Sequence, residues 1–377
     1  MHAVRKVLVV GGGIGGLSTA VALRRSGIAA VDVVEINPRW DVYGVGIIQP
    51  GNAIRAMAQL GLAEQCVAQG HAMDGSRSHD RDGKILADID FERPAGVAFP
   101  SMNGITRPKL HQILADAVLA SGANVRTGVT FTQLEQDAER VAVQFTDGSE
   151  HEYDLVIGAD GINSAVRAEI FGAELVPRFF GQIVWRYNLP RYHDLTRLWM
   201  FDGTRGRAGF VPLAPDLMYI LLIEAADDPD TSSLPSDRLA ELFREHLAEF
   251  GGPIAEVRDQ ITDSSEVVVR PVETILVPPP WYRGRVVLVG DAAHATTPHL
   301  GQGAAQAIED GIVLAEELAV GSPLSAALER FVARRFERCK IVIEGSARIG
   351  RAEMEGALDV DYAGTIKRLT DAVAAPL

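Results

Sequence analysis

The stretch VLVVGGGIGG, residues 7–16, decides which fold the sequence predicts. Its first four residues are all apolar, which is typical of a parallel strand that helices cover on both faces. After the glycines, apolar residues recur at helical spacing until Gly27, and a second apolar strand is predicted at 31–34. The segment therefore predicts a strand, a helix and a second strand, which form the βαβ unit of a Rossmann-like α/β fold.

The glycines of this turn suit a nucleotide. Gly11 permits a tight turn, Gly13 lets the backbone approach a pyrophosphate, and Gly16 allows the helix to pack closely on the sheet. The helix N-terminus supplies free N–H groups and positive dipole charge. Glu35, at the end of the second strand, would accept hydrogen bonds from ribose hydroxyls and repel a 2′-phosphate. Both FAD and NAD fit these residues. The alternative is a glycine-rich turn that serves only to shape the backbone, but such a turn would not need Glu35 and all three glycines together.

Two distant segments repeat the pattern of a buried strand that ends in an acid or a glycine. The first is DLVIGADG, residues 154–161, and the second is RVVLVGDAAH, residues 285–294, which is followed by PHLGQG at 298–303. Three such strand ends in one chain indicate one extended ligand, and a carboxylate at a strand end is a strong acceptor for hydroxyl donors. The alternative is that Asp160 and Asp291 are turn or N-cap residues.

With these three motifs in order, the chain resembles the flavoprotein aromatic hydroxylases of the para-hydroxybenzoate hydroxylase type, the single-component FAD monooxygenases. The resemblance covers most of residues 5–340. It implies that Asp160 lies near the FAD pyrophosphate and that Asp291 binds the ribityl chain. It also implies that the 301–303 turn faces the pyrimidine edge of the flavin, where a helix N-terminus would stabilise negative charge.

The resemblance extends to two shorter segments. Arg107 matches an arginine near the flavin pyrophosphate and ring, although an exposed arginine at a helix start is the alternative. Gly46 lies in a segment that matches a loop against the isoalloxazine. The predicted FAD-binding residues are Gly11, Gly13, Ile14, Gly15, Gly16, Glu35, Gly46, Arg107, Asp160, Gly290, Asp291, Gly301, Gln302 and Gly303.

The βαβ rhythm stops between residue 177 and about residue 268. Stretches at 183–189 and 217–223 are rich in β-branched and aromatic residues and predict an inserted antiparallel sheet, where the resembled family has its substrate domain. A final helix is predicted at 361–373. The predicted division is a discontinuous FAD-binding domain at 1–176 and 269–345, a β-sheet-rich substrate domain at 177–268, and a C-terminal helical segment at 346–377.

Side chains that could clamp a flat anionic ring by stacking and ion pairing occur throughout the inserted region. His299, Arg205 and Tyr219 are the candidate catalytic residues, and His299 could orient or deprotonate a phenol near neutral pH. The Trp185-Arg186 pair matches a recurrent family pair and is interpreted as structural. The region supplies Trp185, Arg186, Tyr187, Arg197, Trp199, Arg205, Arg207, Phe210 and Tyr219.

The resemblance implies the reaction. NADH or NADPH reduces FAD, dioxygen adds to form a flavin hydroperoxide, and one oxygen passes to a small aromatic or heteroaromatic substrate, acidic or phenolic in character. No second glycine-rich βαβ unit follows Glu35, so the nicotinamide cofactor is expected to bind only transiently. No run of His and carboxylate residues has metal-ligand spacing, and no metal is expected.

Two other functions remain open. Because the motifs concern the cofactor and none contacts the substrate, an oxidase, epoxidase or reductase of a non-aromatic substrate could share the scaffold. A flavin-binding protein without turnover is the second. A flavin-dependent halogenase is disfavoured, since none of the four tryptophans lies in a Trp-x-Trp-x-Ile-Pro run.

Composition limits the partners. The formal charge is -14 and the basic residues are scattered, which argues against nucleic acid or anionic lipid as a partner. No uninterrupted apolar stretch is long enough to span a bilayer, and Cys66 and Cys339 lack the spacing of a redox or metal pair. A cytoplasmic monomer or homodimer is expected.

Overall fold

The predicted strand-helix-strand unit opens the chain in the computed structural model, which describes residues 4–42, 44–93, 98–356, 362–375 and 377. The strands are β1 (Lys6–Val10), β2 (Ala30–Glu35), β3 (Gly46–Pro50), β4 (His71–Met73), β5 (Gly75–Asp80), β6 (Ile85–Asp90), β7 (Met102–Thr106), β8 (Asn124–Thr127), β9 (Phe131–Gln136), β10 (Val141–Phe145), β11 (Glu150–Tyr153), β12 (Leu155–Gly158), β13 (Arg178–Pro190), β14 (Leu198–Asp202), β15 (Gly206–Pro212), β16 (Leu217–Ala225), β17 (Val268–Thr274), β18 (Tyr282–Arg283) and β19 (Val286–Leu288). The helices are α1 (Ile14–Arg25), α2 (Gly51–Gln59), α3 (Ala63–Gln69), α4 (Arg107–Ala120), α5 (Ala165–Phe171), α6 (Leu239–His246), α7 (Gly252–Arg258), α8 (Asp291–His294), α9 (Gly303–Ala319), α10 (Leu324–Met354) and α11 (Tyr362–Ala374).

A six-stranded sheet carries all three predicted motifs. Its order is β18-β19-β12-β1-β2-β8, with β1 parallel to β2 and β12, and β12 parallel to β19. The carboxyl ends of β1, β12 and β19 therefore meet at one edge of the sheet, where α/β proteins bind their ligands. The predicted α/β fold and the three motif strands are confirmed.

The apolar character of β1 follows from its position. Val7, Leu8 and Val9 are fully buried because β1 lies in the middle of the sheet, with strands on both sides. Helix α1 packs against α9 and α4. A strand that helices cover on both faces has no solvent-exposed side where polar residues would be favoured. Its sequence is therefore a continuous apolar run.

The predicted antiparallel sheet also forms, and it has seven strands in the order β17-β13-β16-β15-β14-β5-β6. The inserted region supplies β13 to β16, whereas β5 and β6 come from 75–90, within the range predicted for the FAD-binding domain. Strand β5 pairs in parallel with β14. Strand β6 forms the edge of the sheet and β5 lies between β14 and β6. Both strands are short, and neither carries a sequence pattern that ties it to one of the two sheets. The limits of the domains stay a prediction.

The two faces of the seven-stranded sheet have different neighbours. On one face, Trp185 and Phe210 pack in a core with Phe243 and Ile254 of α6 and α7. The other face contributes Val211, Tyr219 and Leu221 to a core shared with Val45, Met73 and Met102, which lie in or beside the small sheet β3-β7-β4. Tyr219 on this second face lies next to Gly46, and Arg107 acts on both Tyr219 and Asp291, so we refer to the region between this face and the cofactor-binding edge as the cleft.

Helices α9, α10 and α11 follow β19 and α8 in sequence, and α10 packs against both α9 and α11. The helix predicted at 361–373 is observed at Tyr362–Ala374, and residue 361 lies outside the described residues. Arg55 Nη1 donates to Ala374 O at 2.6 Å and Arg338 Nη2 donates to Val373 O at 2.7 Å, so two arginines hold the end of α11 against α2 and α10. Across the described part of the chain, none of the helices combines the length and apolarity that crossing a bilayer requires.

Candidate cofactor and substrate site

The first glycine turn is closed to side chains at two positions and open at a third. A Cβ on Gly11 would lie 2.3 Å from the carbonyl oxygen of Ala159, and one on Gly16 would lie 1.9 Å from the carbonyl oxygen of Gly11. Around Gly13, by contrast, no heavy atom of a described residue lies within 4 Å of such a Cβ. Gly13 is the N-cap of α1 and its helix has no side-chain cap, so the first-turn N–H groups remain available. A pyrophosphate fits this open turn.

Three side chains hold the turn in place. Glu35 accepts hydrogen bonds from the backbone N–H of Gly12 and of Asn37, each at 2.8 Å, and each carboxylate oxygen keeps a further acceptor position for a ribose hydroxyl. Trp40 Nε1 donates to Gly12 O at 3.0 Å, and His111 Nε2 lies 3.1 Å from the same oxygen. Sequence reasoning missed Trp40 and His111, because no local pattern relates positions 40 and 111 to residue 12.

The second motif has a capping role. Asp160 Oδ1 accepts from Ser164 Oγ at 2.5 Å and Oδ2 accepts from Val166 N at 3.0 Å, which secures the start of α5. Burial raises the pKa of Asp160 above its ordinary value, although these hydrogen bonds oppose the shift. These contacts match the alternative interpretation of Asp160 as a turn residue, and its role toward FAD stays a prediction.

Arg167 joins the second motif to the third. Its Nη2 donates to Ile162 O at 2.8 Å, and its Nη1 donates to Ala292 O at 2.9 Å. The side chain is buried, and Ala292 follows Asp291 directly. A single guanidinium therefore fixes the spacing between the two loops that carry the predicted acidic residues.

Asp291 has the surroundings of a carboxylate on a cleft wall. Its side chain is exposed to solvent, yet loss of solvation raises its pKa, with the charges of His294 and Arg107 opposing the shift. The exposure and the raised pKa of Asp291 agree if water reaches its carboxylate oxygens from one side while protein surrounds them on the others. A ribityl chain could replace that water, and its hydroxyl groups would then donate hydrogen bonds to the Asp291 carboxylate.

Several predicted residues converge on the same cleft. A Cβ on Gly46 would lie 2.8 Å from Tyr219 Cδ1, and one on Gly44 would lie 2.8 Å from Arg107 Cδ. Burial raises the pKa of Tyr219, while the charges of Arg186 and Arg107 oppose that shift. In the β13–β16 pair Arg186 is opposite Leu221, so it is a diagonal neighbour of Tyr219 on the same face. The structure thus places Arg186, interpreted from the sequence as structural, beside Tyr219.

Arg205 and His299, the other two candidate catalytic residues, have different surroundings from Tyr219. Arg205 is exposed in the turn between β14 and β15, where its charge acts on His246 at the far side of the seven-stranded sheet, so it does not reach the cleft. His299 is buried beside the turn at Gly301. Its Nδ1 lies 3.0 Å from Thr297 Oγ1 and its Nε2 lies 3.2 Å from Glu353 Oε2, without hydrogen-bond geometry for the second pair.

Comparison with known proteins agrees with this geometry. Residues 5–344 match the family model described as FAD binding domain. The aurachin C monooxygenase/isomerase of Stigmatella aurantiaca is 34% identical over 351 residues, which cover 92% of this chain and 88% of that protein. The 2-heptyl-3-hydroxy-4(1H)-quinolone synthase of Pseudomonas aeruginosa (strain UCBPP-PA14) is 32% identical over 372 residues, which cover 96% of this chain and 94% of that protein.

A solved structure extends the likeness to three dimensions. The crystal structure of Klebsiella pneumoniae HpxO complexed with FAD and uric acid superposes with a TM-score of 0.86 at 26% identity, covering 98% of this chain and 97% of that one. The chain therefore belongs to the FAD-binding domain family. Within that family it is an FAD-dependent monooxygenase of the para-hydroxybenzoate hydroxylase type, and FAD is its cofactor.

Replacing Asp291 tests the predicted ribityl contact. Asp291→Ala should weaken FAD binding about 10- to 100-fold, because it removes hydrogen bonds to a charged acceptor. The dissociation constant can be measured from the fluorescence of FAD released when the holoenzyme is diluted. Asp259→Ala, at an exposed aspartate that is 86% accessible, is the matched control and should retain normal affinity. Full retention of FAD by Asp291→Ala would show that the ribityl contact lies elsewhere.

Proposed function

We propose that this protein hydroxylates a small aromatic or heteroaromatic ring, with NADH or NADPH as the transient reductant. The balanced reaction consumes a ring C–H, dioxygen, NAD(P)H and a proton, and yields a ring C–OH, water and NAD(P)⁺. The carrying observation is that the charges of Arg107 and Arg186 act on Tyr219, that the charge of Arg107 also acts on Asp291, and that Gly44 and Gly46 lie against Arg107 and Tyr219. The names of two similar proteins support a heteroaromatic ring, since one makes a 3-hydroxyquinolone and another was crystallised with uric acid.

The sheet wall of the cleft suits a flat apolar ring. Strands β14, β15 and β16 contribute Leu198, Met200, Val211, Leu221 and Ile223 to the core in which Tyr219 takes part. Bound FAD supplies the redox chemistry and activates dioxygen, while these side chains exclude water and hold the ring in one plane. The wall thus favours transfer of oxygen to the ring over loss of peroxide to solvent.

Tyr219 and Arg186 provide polar contacts at this wall. Because burial raises the pKa of Tyr219, its phenol stays protonated and can donate a hydrogen bond to a substrate oxygen. Burial lowers the pKa of Arg186, and the nearby charge of Arg107 lowers it further. Two guanidinium groups that repel each other are best compensated by an anionic or electron-rich oxygen between them. This arrangement supports a phenolic or acidic substrate.

His299 is proposed to orient the site. Its two ring nitrogens lie close to Thr297 and Glu353, which leaves neither of them directed at an open cavity. Glu353 also lies 3.4 Å from Arg207 Nη1, so it links α10 to β15 and to the turn before Gly301. We therefore assign His299 to holding that turn, and assign contact with the substrate to Tyr219.

A substrate panel tests the proposed reaction. The purified yellow protein should oxidise NADH or NADPH faster when the correct hydroxylated aromatic acid or N-heteroaromatic ring is present. Dioxygen uptake should then match NAD(P)H oxidation, with little free peroxide. If no ring stimulates oxidation while the flavin remains bound and reducible, an oxidase or reductase of a non-aromatic substrate replaces this proposal. A bound flavin that no reductant turns over would instead indicate a flavin-binding protein without activity.

Removing the charge of Arg186 tests its part in substrate binding. Arg186→Met should raise KM for the ring substrate about tenfold or more, the size expected for a lost charged hydrogen bond. Arg270→Met changes an exposed arginine of the neighbouring strand β17 and should leave KM unchanged. Steady-state NAD(P)H oxidation measures both variants. Equal KM values in wild type and Arg186→Met would remove Arg186 from the substrate site.

A further inference from the structure

A buried charge cluster lies behind the cofactor edge, between α8, α9 and α10. It consists of His294, Glu309, Asp310, Arg335 and Arg338. The side chains of Glu309, Asp310 and Arg335 are fully buried, and that of His294 is 1% exposed. Buried charges are costly unless each is paired, so the geometry of this cluster is tightly constrained.

Asp310 connects the cluster to the third motif. Its Oδ2 accepts a hydrogen bond from the backbone N–H of Gly290 at 2.8 Å and lies 2.5 Å from His294 Nε2. Its Oδ1 accepts from Arg335 Nε at 2.7 Å. Although burial opposes the charged form, Asp310 raises the pKa of His294 well above its ordinary value. The Gly290 bond fixes the direction in which the chain enters Asp291.

Glu309 connects the same cluster to the turn at Gln302. Its Oε2 accepts from Arg335 Nη1 at 2.8 Å, and its Oε1 accepts from Asn52 Nδ2 at 3.0 Å. The amides of Asn52 and Gln302 then exchange two hydrogen bonds of 3.0 Å. Gln302 is the N-cap of α9, and its turn is the one predicted to face the pyrimidine edge of the flavin.

A second path joins Arg335 to the same turn. Arg335 Nη2 donates to Gln306 Oε1 at 2.6 Å, and Gln306 Nε2 donates to Gln302 Oε1 at 3.1 Å. The guanidinium of Arg335 is thus connected to Gly290 through Asp310 and to Gln302 through Gln306. A rigid, planar group with several donors can hold two carboxylates at a fixed spacing, which the flexible, single-nitrogen ammonium of lysine cannot reproduce.

We infer that Arg335 is a positioning residue for FAD, which fixes the turn at Asp291 and the turn at Gln302 relative to each other through Asp310 and Glu309. The inference rests on the proposed cofactor roles of Asp291 and Gln302. It gives the flavin a preorganised edge, because the groups that meet the ribityl chain and the ring are connected through one buried cation.

A metal site is the competing interpretation of this cluster. Among the described residues, the ligand atoms of His294, Asp310 and Cys339 lie within 4.8 Å of one another. Arg335 already donates to Asp310 Oδ1, and its Nη2 lies 3.5 Å from Cys339 Sγ. The guanidinium therefore compensates the carboxylate from within the cluster, and a metal cation would have to displace it against charge repulsion.

The test compares neighbouring arginines on one helix. Arg335→Lys keeps the charge but cannot hold Asp310 and Glu309 together, and it should weaken FAD binding about tenfold or more. It should also shift the absorption band and the midpoint potential of the bound flavin. Arg334→Lys is the control, because Arg334 pairs with Glu316 and Glu317 on the outer side of the helix and should leave all three quantities unchanged.

Each outcome decides the inference. An Arg335→Lys holoenzyme that melts at a lower temperature but keeps normal FAD affinity, spectrum and potential would overturn it, because only stability would depend on Arg335. If Arg335→Lys does not fold, the double variant Asn52→Ala/Gln306→Ala cuts both side-chain links to Gln302 and leaves the ion pairs of Arg335 with Asp310 and Glu309 intact. A shifted flavin spectrum in the double variant then supports the inference, and an unchanged spectrum and affinity overturn it.

FAD release needs no aromatic substrate, so these results do not depend on the proposed hydroxylation. If Asp291→Ala retains FAD, the cofactor roles are misplaced and the inference falls with them. If Asp291→Ala loses FAD while Arg335→Lys does not, the cofactor site stands and only the role of Arg335 is wrong.

Discussion

The carbonyl oxygen of Ala159 lies against Gly11 at a position where no side chain has room. This close approach brings the end of β12 against the end of β1, and the equally close approach of Gly16 to Gly11 draws helix α1 down onto the sheet. The open space at Gly13 then becomes the place where a ligand can meet free backbone N–H groups. The predicted position of the cofactor follows from these contacts between backbone atoms.

Polar contacts between residues far apart in the chain then orient the loops at this edge. Arg167 ties the second motif to the third, and Asp310 fixes the turn that precedes Asp291. Because these groups are buried and paired, moving one of them would expose an uncompensated charge to a medium of low polarity. We therefore expect the cofactor edge of the monooxygenase to be preorganised before FAD binds, while the sheet that carries Tyr219 is a separate element of the fold.

The sequence predicts the parts of this site that depend on local patterns. The strand, the turn and the helix N-terminus of the first motif can be predicted because they lie within ten residues of one another. Three motifs of this kind in order then indicated FAD. The seven-stranded sheet was predicted only in part, since the short strands β5 and β6 lie outside the inserted region and have no distinctive period. The face of the sheet on which Arg186 lies depends on strand register, and Arg335 gains its partners only when α9 and α10 pack together. Such long-range pairings have no counterpart in a single sequence.

A crystal structure of the protein with FAD tests the central claim most directly. We expect the pyrophosphate at hydrogen-bond distance, about 3 Å, from the backbone N–H groups at Gly13 and Ile14, with the ribityl hydroxyls at Asp291 and the pyrimidine edge at the Gln302 turn. A pyrophosphate bound away from the Gly13 turn, or a flavin ring that does not reach the cleft beside Tyr219, would contradict it.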